Sequence, residues 1–419
     1  MTRVVVIGGG VVGLASAIEL LRDGHAVTIV EPGVPGGEQA ASYGNGTLLN
    51  PSSVVPMSSP GLWKKVPGFL LDPLGPLTIR WSYLPRLLPW LRRFVQAGST
   101  AAKVAATGRA LQPLLANAPA LHRALAEEAG VGDLITRQGV LFAFPDRAAF
   151  EAEALSWKTR RDNGVKWLEL DADELRQREP SLDRHYTFAV LIEENGQCRD
   201  PGAYVAALAA HAAAQGAKIV RSGATGFRIE AGCLRAVTTR VSEIACDKAV
   251  IAAGAWSKVL AAAAGDKVIL ETERGYHAVI ADPGIEPRYP MMPSDGKMAC
   301  VMTPAGLRLA GQVELAGLDA APNWKRAEVL LAFARKVYPG LPADLPTERV
   351  KLWMGHRPST PDGLPCLGLA SGCADIVHAF GHGHVGLTAA ATTGKVVATL
   401  IAGRKPPFDL TPYAATRFR

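Results

Sequence analysis

Cysteine and aromatic residues are scarce in this sequence, and their arrangement excludes two classes of protein. The six cysteines among 419 residues form no CxxC pair and have no histidine at the spacing of a zinc site, so we expect free thiols and no metal centre. Aromatic residues make up 6% of the chain, and no basic run is interleaved with them in the manner of a nucleic-acid motif. Free thiols are typical of a reducing compartment, which predicts a cytoplasmic protein. The missing basic and aromatic run predicts that it has no nucleic-acid partner.

Apolar runs long enough to span a bilayer, about 20 residues, are also missing. The uncharged stretch from Val4 to Ile18 is shorter, and it has no small-residue cleavage site of a signal peptide. The net charge of +7 is modest for this length, and it favours attraction to anionic small molecules or an anionic lipid surface. We therefore expect a globular, cytoplasmic chain, with peripheral attachment to the inner membrane as an alternative.

The clearest positive feature is a dinucleotide-binding pattern at the start of the chain. An apolar, strand-like run ends at the turn Gly8-x-Gly10-x-x-Gly13, a helix-like periodicity follows, and a second apolar run ends at Glu31. Such glycines make the tight turn, let backbone N–H groups approach a pyrophosphate and let the helix pack on the strand. Glu31 lies where an acid accepts hydrogen bonds from the adenosine ribose. The pattern predicts an adenine dinucleotide, but it does not distinguish FAD from NAD.

Glycine-rich turns recur much later in the chain, near residues 44, 254 and 381. A whole FAD is larger than one strand–turn–helix unit can hold, and these segments are candidates for its other contacts. The cluster from Gly381 to Gly386 precedes a helix, whose positive N-terminal end would stabilise the negative charge of a reduced flavin. We therefore predict an α/β fold: a Rossmann-like FAD-binding domain built from discontinuous segments, with an inserted α+β substrate domain that carries an antiparallel or mixed sheet.

The predicted domain boundaries follow from where these turns lie. The FAD-binding domain is expected to contain residues 1–60, 190–270 and 345–419, and the substrate-binding cap residues 61–189 and 271–344. This division puts the dinucleotide pattern and the last glycine cluster in one domain, although more than 300 residues separate them in sequence.

Segment 62–95 differs in composition from the rest of the chain. It combines six basic residues with three tryptophans, Trp63, Trp81 and Trp90, and its prolines exclude one long helix. Basic residues beside aromatic ones are typical of a membrane-surface patch. A lid or a subunit contact is the alternative interpretation.

Arg357 is the strongest candidate for contact with a substrate. It ends a strand-like run and stands directly before Pro358, where a rigid turn begins. A buried arginine at such a place can hold a carboxylate through two parallel hydrogen bonds. The residues alone leave a structural salt bridge as the other interpretation.

In their order and spacing, these motifs resemble the FAD-dependent D-amino-acid oxidase superfamily, and within it the bacterial D-amino-acid dehydrogenase branch, with glycine oxidase as a cousin. The resemblance extends over nearly the whole chain. The motifs that carry it are Val6 to Gly13, Tyr43 to Gly46 with Asn50-Pro51, Arg137 to Gly139, Glu194 to Cys198, Ala252 to Ser257, Arg274 to Tyr276, Gly355 to Gly363, and Gly381 to Gly383.

The resemblance implies a set of FAD contacts and a non-covalent cofactor. Relatives that bind flavin covalently carry a cysteine where this chain has Gly355. His356 and His384 depart from the residues expected at those positions, which leaves their roles open. The cofactor-binding residues that we expect are Gly8, Gly10, Val11, Val12, Gly13, Glu31, Ser42, Asn45, Gly46, Thr47, Leu48, Gly254, Gly355, Gly383, His384, Val385, Gly386, Leu387 and Thr388.

The resemblance also implies the reaction and its catalytic residues. The family oxidises an amine by moving the Cα hydrogen to flavin N5 as a hydride, which requires orientation of the substrate more than acid–base groups. Arg357 would hold the carboxylate, Tyr276 would add a hydroxyl hydrogen bond, and His382 would bond the amine or shape the pocket. Arg274 is expected to be a surface or structural residue rather than a second clamp.

The predicted function is FAD-dependent oxidative deamination of a D-amino acid or a related secondary amino acid. Electrons would pass to a quinone or another acceptor, and segment 62–95 would allow contact with a membrane surface. One alternative is an oxygen-using amino-acid or amine oxidase of the glycine or sarcosine oxidase type. Another is a flavin subunit of a hetero-oligomeric opine or cyanide-forming dehydrogenase, in which segment 62–95 would be a protein interface. An NAD-dependent dehydrogenase would leave the late glycine clusters without a role.

Overall fold

The opening pattern forms a parallel strand–helix–strand unit. Strand β1 (Arg3–Ile7) leads through the glycine turn into helix α1 (Val11–Arg22), and strand β2 (Ala26–Val30) returns parallel to β1. The Gly8 N–H donates a hydrogen bond of 2.9 Å to the Val30 carbonyl, so the turn closes onto the end of the second strand.

The structure is a computed structural model that describes residues 1–72 and 75–419. Pro73, one of the prolines of segment 62–95, lies outside the described residues. The remaining α-helices are α2 (Leu62–Leu71), α3 (Leu84–Ala97), α4 (Ala101–Leu115), α5 (Ala118–Glu128), α6 (Arg147–Glu151), α7 (Ala154–Asp162), α8 (Ala172–Arg178), α9 (Pro201–Ala214), α10 (Ser257–Ala263), α11 (Lys325–Val337) and α12 (Gly386–Ile401). The remaining strands are β3 (Leu48–Leu49), β4 (Leu77–Ile79), β5 (Ile135–Thr136), β6 (Val140–Phe144), β7 (Leu168–Leu170), β8 (Phe188–Ile192), β9 (Gly196–Cys198), β10 (Lys218–Val220), β11 (Ala224–Glu230), β12 (Cys233–Thr239), β13 (Glu243–Ala245), β14 (Lys248–Ile251), β15 (Glu271–Ile280), β16 (Met291–Pro293), β17 (Met298–Thr303), β18 (Gly306–Leu315), β19 (Val350–Ser359), β20 (Cys366–Leu369) and β21 (Ile376–Phe380).

A six-stranded sheet contains the dinucleotide unit, in the order β10-β2-β1-β14-β21-β20. Its pairs are parallel except that β20 runs antiparallel to β21. Val4 and Val6 pack on α1, α9 and α12 on one face, while Val5 and Ile7 pack against α10 and β11–β13 on the other. The strands come from widely separated parts of the chain, which confirms the predicted α/β class and the discontinuous Rossmann-like sheet.

A nine-stranded sheet forms the second layer, in the order β19-β15-β18-β17-β16-β6-β8-β7 with β4 beside β18. The pairs of β16 with β6 and of β18 with β4 are parallel, and the other pairs are antiparallel. The predicted mixed sheet is therefore confirmed. Helix α11 covers one face of this sheet in a shared apolar cluster, and the opposite face lines the candidate site.

Three segments lie elsewhere than the predicted domain boundaries place them. Strands β8 and β19 belong to the nine-stranded sheet, although they fall wholly or partly within residues 190–270 and 345–419. Leu111, Leu114 and Leu125 of α4 and α5 pack in the core around α1 and α12, although residues 61–189 were expected in the cap. These placements depend on pairing and packing between distant segments, which local sequence patterns do not specify.

Segment 62–95 is divided into α2, β4, a short 3-10 turn and α3, as its prolines predict. Among the residues that the structure describes, no helix combines the length and the apolar character needed to cross a bilayer.

Candidate functional site

A cavity of about 1580 Å³ runs between the six-stranded and nine-stranded sheets. Gly8, Gly10 and Glu31 line it at the ends of β1 and β2, and Arg357 lines it from β19. The cavity therefore connects the predicted dinucleotide cradle with the predicted carboxylate clamp.

The glycines of the opening turn have distinct steric roles. Gly8 has φ +113°, and a Cβ there would lie 2.3 Å from the Ala252 carbonyl oxygen. A Cβ on Gly13 would lie 2.0 Å from the Gly8 carbonyl oxygen, so Gly13 allows α1 to pack on the turn. A Cβ on Gly10 would meet only the Ser42 Oγ, at 3.5 Å. Gly10 is thus the position where the backbone faces open cavity.

These residues fit the pyrophosphate and ribose of a dinucleotide. Helix α1 begins after Gly10 without a side-chain cap, and its Val11 N–H donates to Ser42 Oγ at 3.2 Å. First-turn N–H groups of a helix have no intrahelical acceptor and favour a phosphate. The Glu31 carboxylate accepts from the Gly9 N–H at 2.7 Å and from the Gly33 N–H at 2.9 Å, which holds it at the cavity wall.

Most of the predicted cofactor residues meet at this cavity. Gly13, Thr47 and Val385 do not line it: Gly13 packs against Gly8, and the buried Thr47 accepts from the Cys198 N–H through its carbonyl. No cysteine occurs among the described lining residues, so a cysteinyl bond to FAD has no thiol there. The predicted residues that line the cavity are Gly8, Gly10, Val11, Val12, Glu31, Ser42, Asn45, Gly46, Leu48, Gly254, Gly355, Gly383, His384, Gly386, Leu387 and Thr388.

His382 lines the cavity, but its ring is held by helix α12. The Nε2 atom lies 3.1 Å from Thr393 Oγ1, and the residue is only 3% exposed. Burial lowers the pKa of His382 to about 4, so the ring is neutral near pH 7. This geometry favours the pocket-shaping role predicted for His382 over a hydrogen bond from Nε2 to the substrate amine.

Arg357 extends across strand β15 toward β18. Its Nη1 donates to the Gln312 carbonyl at 3.0 Å and its Nη2 to the Gly311 carbonyl at 3.3 Å. Burial lowers the pKa of the Arg357 guanidinium, and the nearby Glu273 carboxylate opposes this shift. The guanidinium lies directly over Gly275, where a Cβ would be 2.2 Å from Arg357 Cζ.

Gly275→Ala is expected to displace the Arg357 guanidinium without unfolding the protein. The clashing atoms belong to the flexible end of a side chain rather than to the backbone. We expect KM for a carboxylate substrate to rise about tenfold, comparable to the loss of one hydrogen bond to a charged group. Steady-state kinetics and a thermal melt measure the two effects. An unchanged KM, or a melting temperature that collapses, would contradict this account.

The structure corrects the role predicted for Tyr276. Side chains alternate along a strand, so Glu273 and Gly275 face the cavity while Arg274 and Tyr276 face α11. The Tyr276 hydroxyl bonds the Glu314 carboxylate and accepts from the Asn323 N–H at 2.9 Å. It is therefore engaged on the far side of the sheet from Arg357.

Arg274 has a structural role, as predicted, but it is buried rather than on the surface. It is 0% exposed and donates to several backbone carbonyls of the loop after β18, including that of Gly317 at 2.8 Å. Its Nη1 also lies 3.5 Å from the Glu314 carboxylate. It does not line the cavity and cannot act as a second clamp there.

Glu273 is a site residue that the sequence analysis missed. It lies opposite Arg357 in the β15–β19 pair, and its Oε2 is 2.5 Å from His384 Nε2. Burial raises the pKa of the Glu273 carboxyl, but His384 and Arg357 lower it, and the net shift is downward. Residues two apart on a strand share a face, so its spacing from Gly275 could have indicated Glu273 from the sequence. The site thus contains an Arg357–Glu273–His384 group of charged and polar side chains.

His356, the remaining histidine of the predicted site, and the nearby Trp353 also make specific contacts at the cavity. His356 lines the cavity, its Nδ1 lies 2.9 Å from Thr272 Oγ1, and burial lowers its pKa to about 4. Trp353, whose ring lies over Gly44 and Gly355, also lines the cavity. At both glycines a Cβ would overlap the indole, which explains the small residues there.

An apolar wall adjoins the clamp. Val313 of β18 pairs with Leu77 of β4, and both line the cavity. Helix α3 closes this side: the Trp90 ring stacks on Phe94 at 4.8 Å, and Trp90 Nε1 donates to the Ser359 carbonyl at 3.0 Å. This wall suits an apolar substituent beside a carboxylate held by Arg357.

Segment 62–95 thus lines the cavity and also carries exposed apolar side chains. Trp63 and Trp81 are 60% and 69% exposed, and Leu88 is 55% exposed. Exposed basic residues, among them Lys64 and Arg86, lie on the same segment.

Comparison with known proteins finds similar proteins along nearly the whole chain. The FAD dependent oxidoreductase (DAO) family model matches residues 3–400. The chain is 58% identical to a D-amino-acid oxidase of Bradyrhizobium diazoefficiens over 99% of both chains. It is 31% identical to a D-amino acid dehydrogenase of a Methylobacterium species, over 100% of this chain and 99% of that protein. The crystal structure of glycine oxidase from Geobacillus kaustophilus superposes with a TM-score of 0.73 at 25% identity, covering 100% of this chain and 99% of the other.

Proposed function

Because the chain belongs to the DAO family of FAD-dependent oxidoreductases, we propose that it catalyses the oxidative deamination of D-amino acids with apolar side chains. The observation that carries this proposal is the Arg357 guanidinium, which faces the cavity beside an apolar wall and is joined by that cavity to the dinucleotide cradle. We propose the D-configuration because two similar proteins are a D-amino-acid oxidase and a D-amino acid dehydrogenase.

The reaction converts the substrate Cα–N single bond into a C=N bond, as Cα loses its hydrogen with two electrons and the nitrogen loses a proton to solvent. Water then hydrolyses the imine to an oxo acid and ammonia. FAD, when bound, supplies the acceptor for the two electrons and the hydrogen that leave Cα. Arg357 binds the carboxylate and orients Cα, which is the main requirement for such a transfer. The Glu273 carboxylate offsets the charge of Arg357, and His384 Nε2, at 2.5 Å from Glu273 Oε2, keeps this carboxylate in place.

The FAD-binding residues that we propose are those that line the cavity from both halves of the chain. Gly10 and the first turn of α1 would hold the pyrophosphate, and Glu31 the ribose. The N-terminal end of α12, after Gly383 and His384, would hold the flavin end. We also propose the discontinuous domain division predicted above, with β8 and β19 assigned to the cap and α4 and α5 to the FAD-binding domain. This division is supported by the two sheets and their separate apolar clusters.

Anaerobic bleaching of the flavin absorbance tests the reaction. The purified holoenzyme is mixed with D-, L- and N-substituted amino acids, including D-phenylalanine and D-alanine with their L-enantiomers. We expect D-amino acids with apolar side chains to bleach the flavin fastest. Bleaching by no amino acid, or by L-enantiomers alone, would contradict the proposal.

A membrane quinone is the electron acceptor that we propose. The exposed Trp63 and Trp81 and the exposed basic side chains of segment 62–95 support contact with an anionic lipid surface, because the same segment also lines the cavity. Dioxygen is the second candidate, and the similarity to a D-amino-acid oxidase favours it. Turnover in air with a soluble quinone separates them: hydrogen peroxide equal to the substrate consumed identifies dioxygen as the acceptor, and quinone reduction without peroxide identifies the quinone.

A further inference from the structure

The two ring nitrogens of His384 lie in different surroundings. Nε2 is 2.5 Å from Glu273 Oε2, and the Glu273 side chain is only 7% exposed. The His384 side chain is 33% exposed and lines the cavity. Among the residues that the structure describes, Nδ1 has no hydrogen-bond partner, and it is not one of the unpartnered atoms that are buried. Nδ1 is thus accessible and unpartnered on a side chain that lines the cavity.

Glu273 determines which nitrogen of His384 carries the hydrogen. Burial raises the pKa of the Glu273 carboxyl, but His384 and Arg357 lower it further, so this group is ionised near pH 7 and only accepts hydrogen bonds. In neutral His384 the hydrogen is therefore on Nε2, and Nδ1 keeps a lone pair. A carboxylate that holds one ring nitrogen in this way orients the ring and stabilises the cation that forms when the other nitrogen takes a proton.

His384 and the Arg357 guanidinium lie at the two ends of a short stretch of β15. Glu273, which bonds His384, is opposite Arg357 in the β15–β19 pair. The guanidinium lies over Gly275, which faces the cavity about 7 Å further along the same strand. An α-amino acid carries its carboxylate and its amine on one carbon, so the groups that contact them must be neighbours. Arg357 and His384 meet this condition.

Two other histidines of the cavity lack an ionised partner. Burial lowers the pKa of both His382 and His356 to about 4, so both rings are neutral near pH 7. Their bonded nitrogens contact threonine hydroxyl groups rather than a carboxylate. His384 differs from them in its contact with Glu273.

The charged groups around His384 come from two strands. Glu273 faces it from β15, and Arg357 lies opposite Glu273 on β19. Glu271, also on β15, accepts from the Tyr83 hydroxyl at 2.7 Å and is not among the described lining residues. The first two turns of α12, which follow His384, carry no titratable side chain. Glu273 therefore favours a protonated His384 and Arg357 opposes it, until a substrate carboxylate neutralises Arg357.

We propose that His384 Nδ1 accepts a proton from the substrate amine before the Cα hydrogen leaves. An N–H bond of the ammonium group breaks, an Nδ1–H bond forms, and the freed lone pair on the substrate nitrogen becomes available for the C=N bond. Glu273 stabilises the imidazolium, which passes the proton to water. The Cα hydrogen then leaves with two electrons, as in the proposed reaction. This inference rests on the proposed function and adds a catalytic residue to it.

Two variants remove the base while they keep the size of the side chains similar. His384→Gln has an amide that donates to Glu273 but takes no proton, and Glu273→Gln removes the carboxylate. His185→Gln is the matched control, because His185 is exposed and does not line the cavity. Anaerobic flavin reduction by D-phenylalanine gives a rate constant and a dissociation constant. Their ratio is measured from about pH 6 to about pH 10, which spans the usual pKa values of a histidine and an amine.

His384→Gln is expected to lower this ratio about 100-fold near neutral pH, the lower end of the usual effect of a general base. The loss should shrink as the pH rises, because the amine then loses its proton to solvent and needs no base. Glu273→Gln should show a smaller loss with the same pH dependence, and the control none. The affinity of His384→Gln for 3-phenylpropanoate, which has the carboxylate and the ring but no amine, should stay within about twofold of wild type. The change in flavin absorbance measures this affinity.

A loss of equal size at every pH would show that His384 has only a structural role and would overturn the inference, as would an unchanged ratio. If His384→Gln does not retain FAD, the pH dependence of Glu273→Gln decides the same question. A wild-type enzyme that no D-amino acid reduces would instead remove the proposed function, and this inference with it.

Discussion

Arg357→Met is expected to raise KM for D-amino acids by about 100-fold or more while FAD remains bound. The substitution keeps the apolar stem but removes both parallel hydrogen bonds to the carboxylate, and each bond to a charged group is worth about 1.5–3 kcal/mol. It also removes one of the two neighbours, His384 and Arg357, that lower the pKa of the buried Glu273 carboxyl, so this pKa rises from its lowered value.

Steady-state kinetics, with the flavin content taken from the absorbance of the purified protein, checks this expectation. Arg184→Met is the matched control, because Arg184 is exposed and does not line the cavity. The control should keep the wild-type KM. If Arg357→Met changes KM by less than about threefold, the guanidinium is not the carboxylate clamp.

The second large effect is a loss of stability that we expect for Gly13→Ala but not for Gly10→Ala in the same turn. Gly13→Ala places a Cβ 2.0 Å from the Gly8 carbonyl oxygen, and neither backbone segment can yield without moving α1. We expect the free energy of unfolding of the apoprotein to fall by about 3 kcal/mol, the upper end of the usual cost of overpacking. Gly10→Ala meets only Ser42 Oγ at 3.5 Å, so it should change the stability of the apoprotein by less than about 1 kcal/mol.

FAD affinity is expected to fall in the Gly10→Ala variant, although its stability should stay close to that of the wild type. The Gly10→Ala methyl group points into the space that a pyrophosphate would occupy, so we expect FAD to bind at least about tenfold more weakly to this stable protein. Denaturant unfolding of the apoprotein and an FAD titration by fluorescence quenching measure the two properties. A Gly10→Ala protein with wild-type FAD affinity would show that the pyrophosphate does not approach the backbone at this turn.

Some of the site could be predicted because its pattern is local. The turn from Gly8 to Gly13 and the acid at Glu31 fall within one strand–helix–strand unit, so their spacing can be recognised in a short stretch of sequence. The Rossmann-like sheet and an adenine dinucleotide followed from this pattern, and the later glycine clusters added the prediction of FAD. The sheet and FAD are confirmed by the family to which the chain belongs. The individual cofactor contacts and the clamp remain predictions, now with a geometry that can be tested.

Tyr276 and Glu273 show where local patterns stop being sufficient. Both lie on β15, three residues apart, and only one of them can face the cavity because side chains alternate along a strand. Which one does so depends on which face α11 covers, and α11 begins more than 40 residues later in the chain. The motif Arg274 to Tyr276 was therefore found, but its orientation was not.

The sequence by itself determined that the chain binds an adenine dinucleotide, since the glycine turn, the helix after it and the acid at Glu31 lie within one short stretch of sequence. Only the tertiary structure decided the substrate end of the site. It pairs Arg357 with Glu273, which lies on a strand more than 80 residues earlier in the chain. It also places one extra residue in β18 opposite β15, at the point where the Gln312 backbone carbonyl accepts from the guanidinium. Strand register and a single extra residue in a bulge arise from the competition of several distant strands for partners, so no local pattern records them.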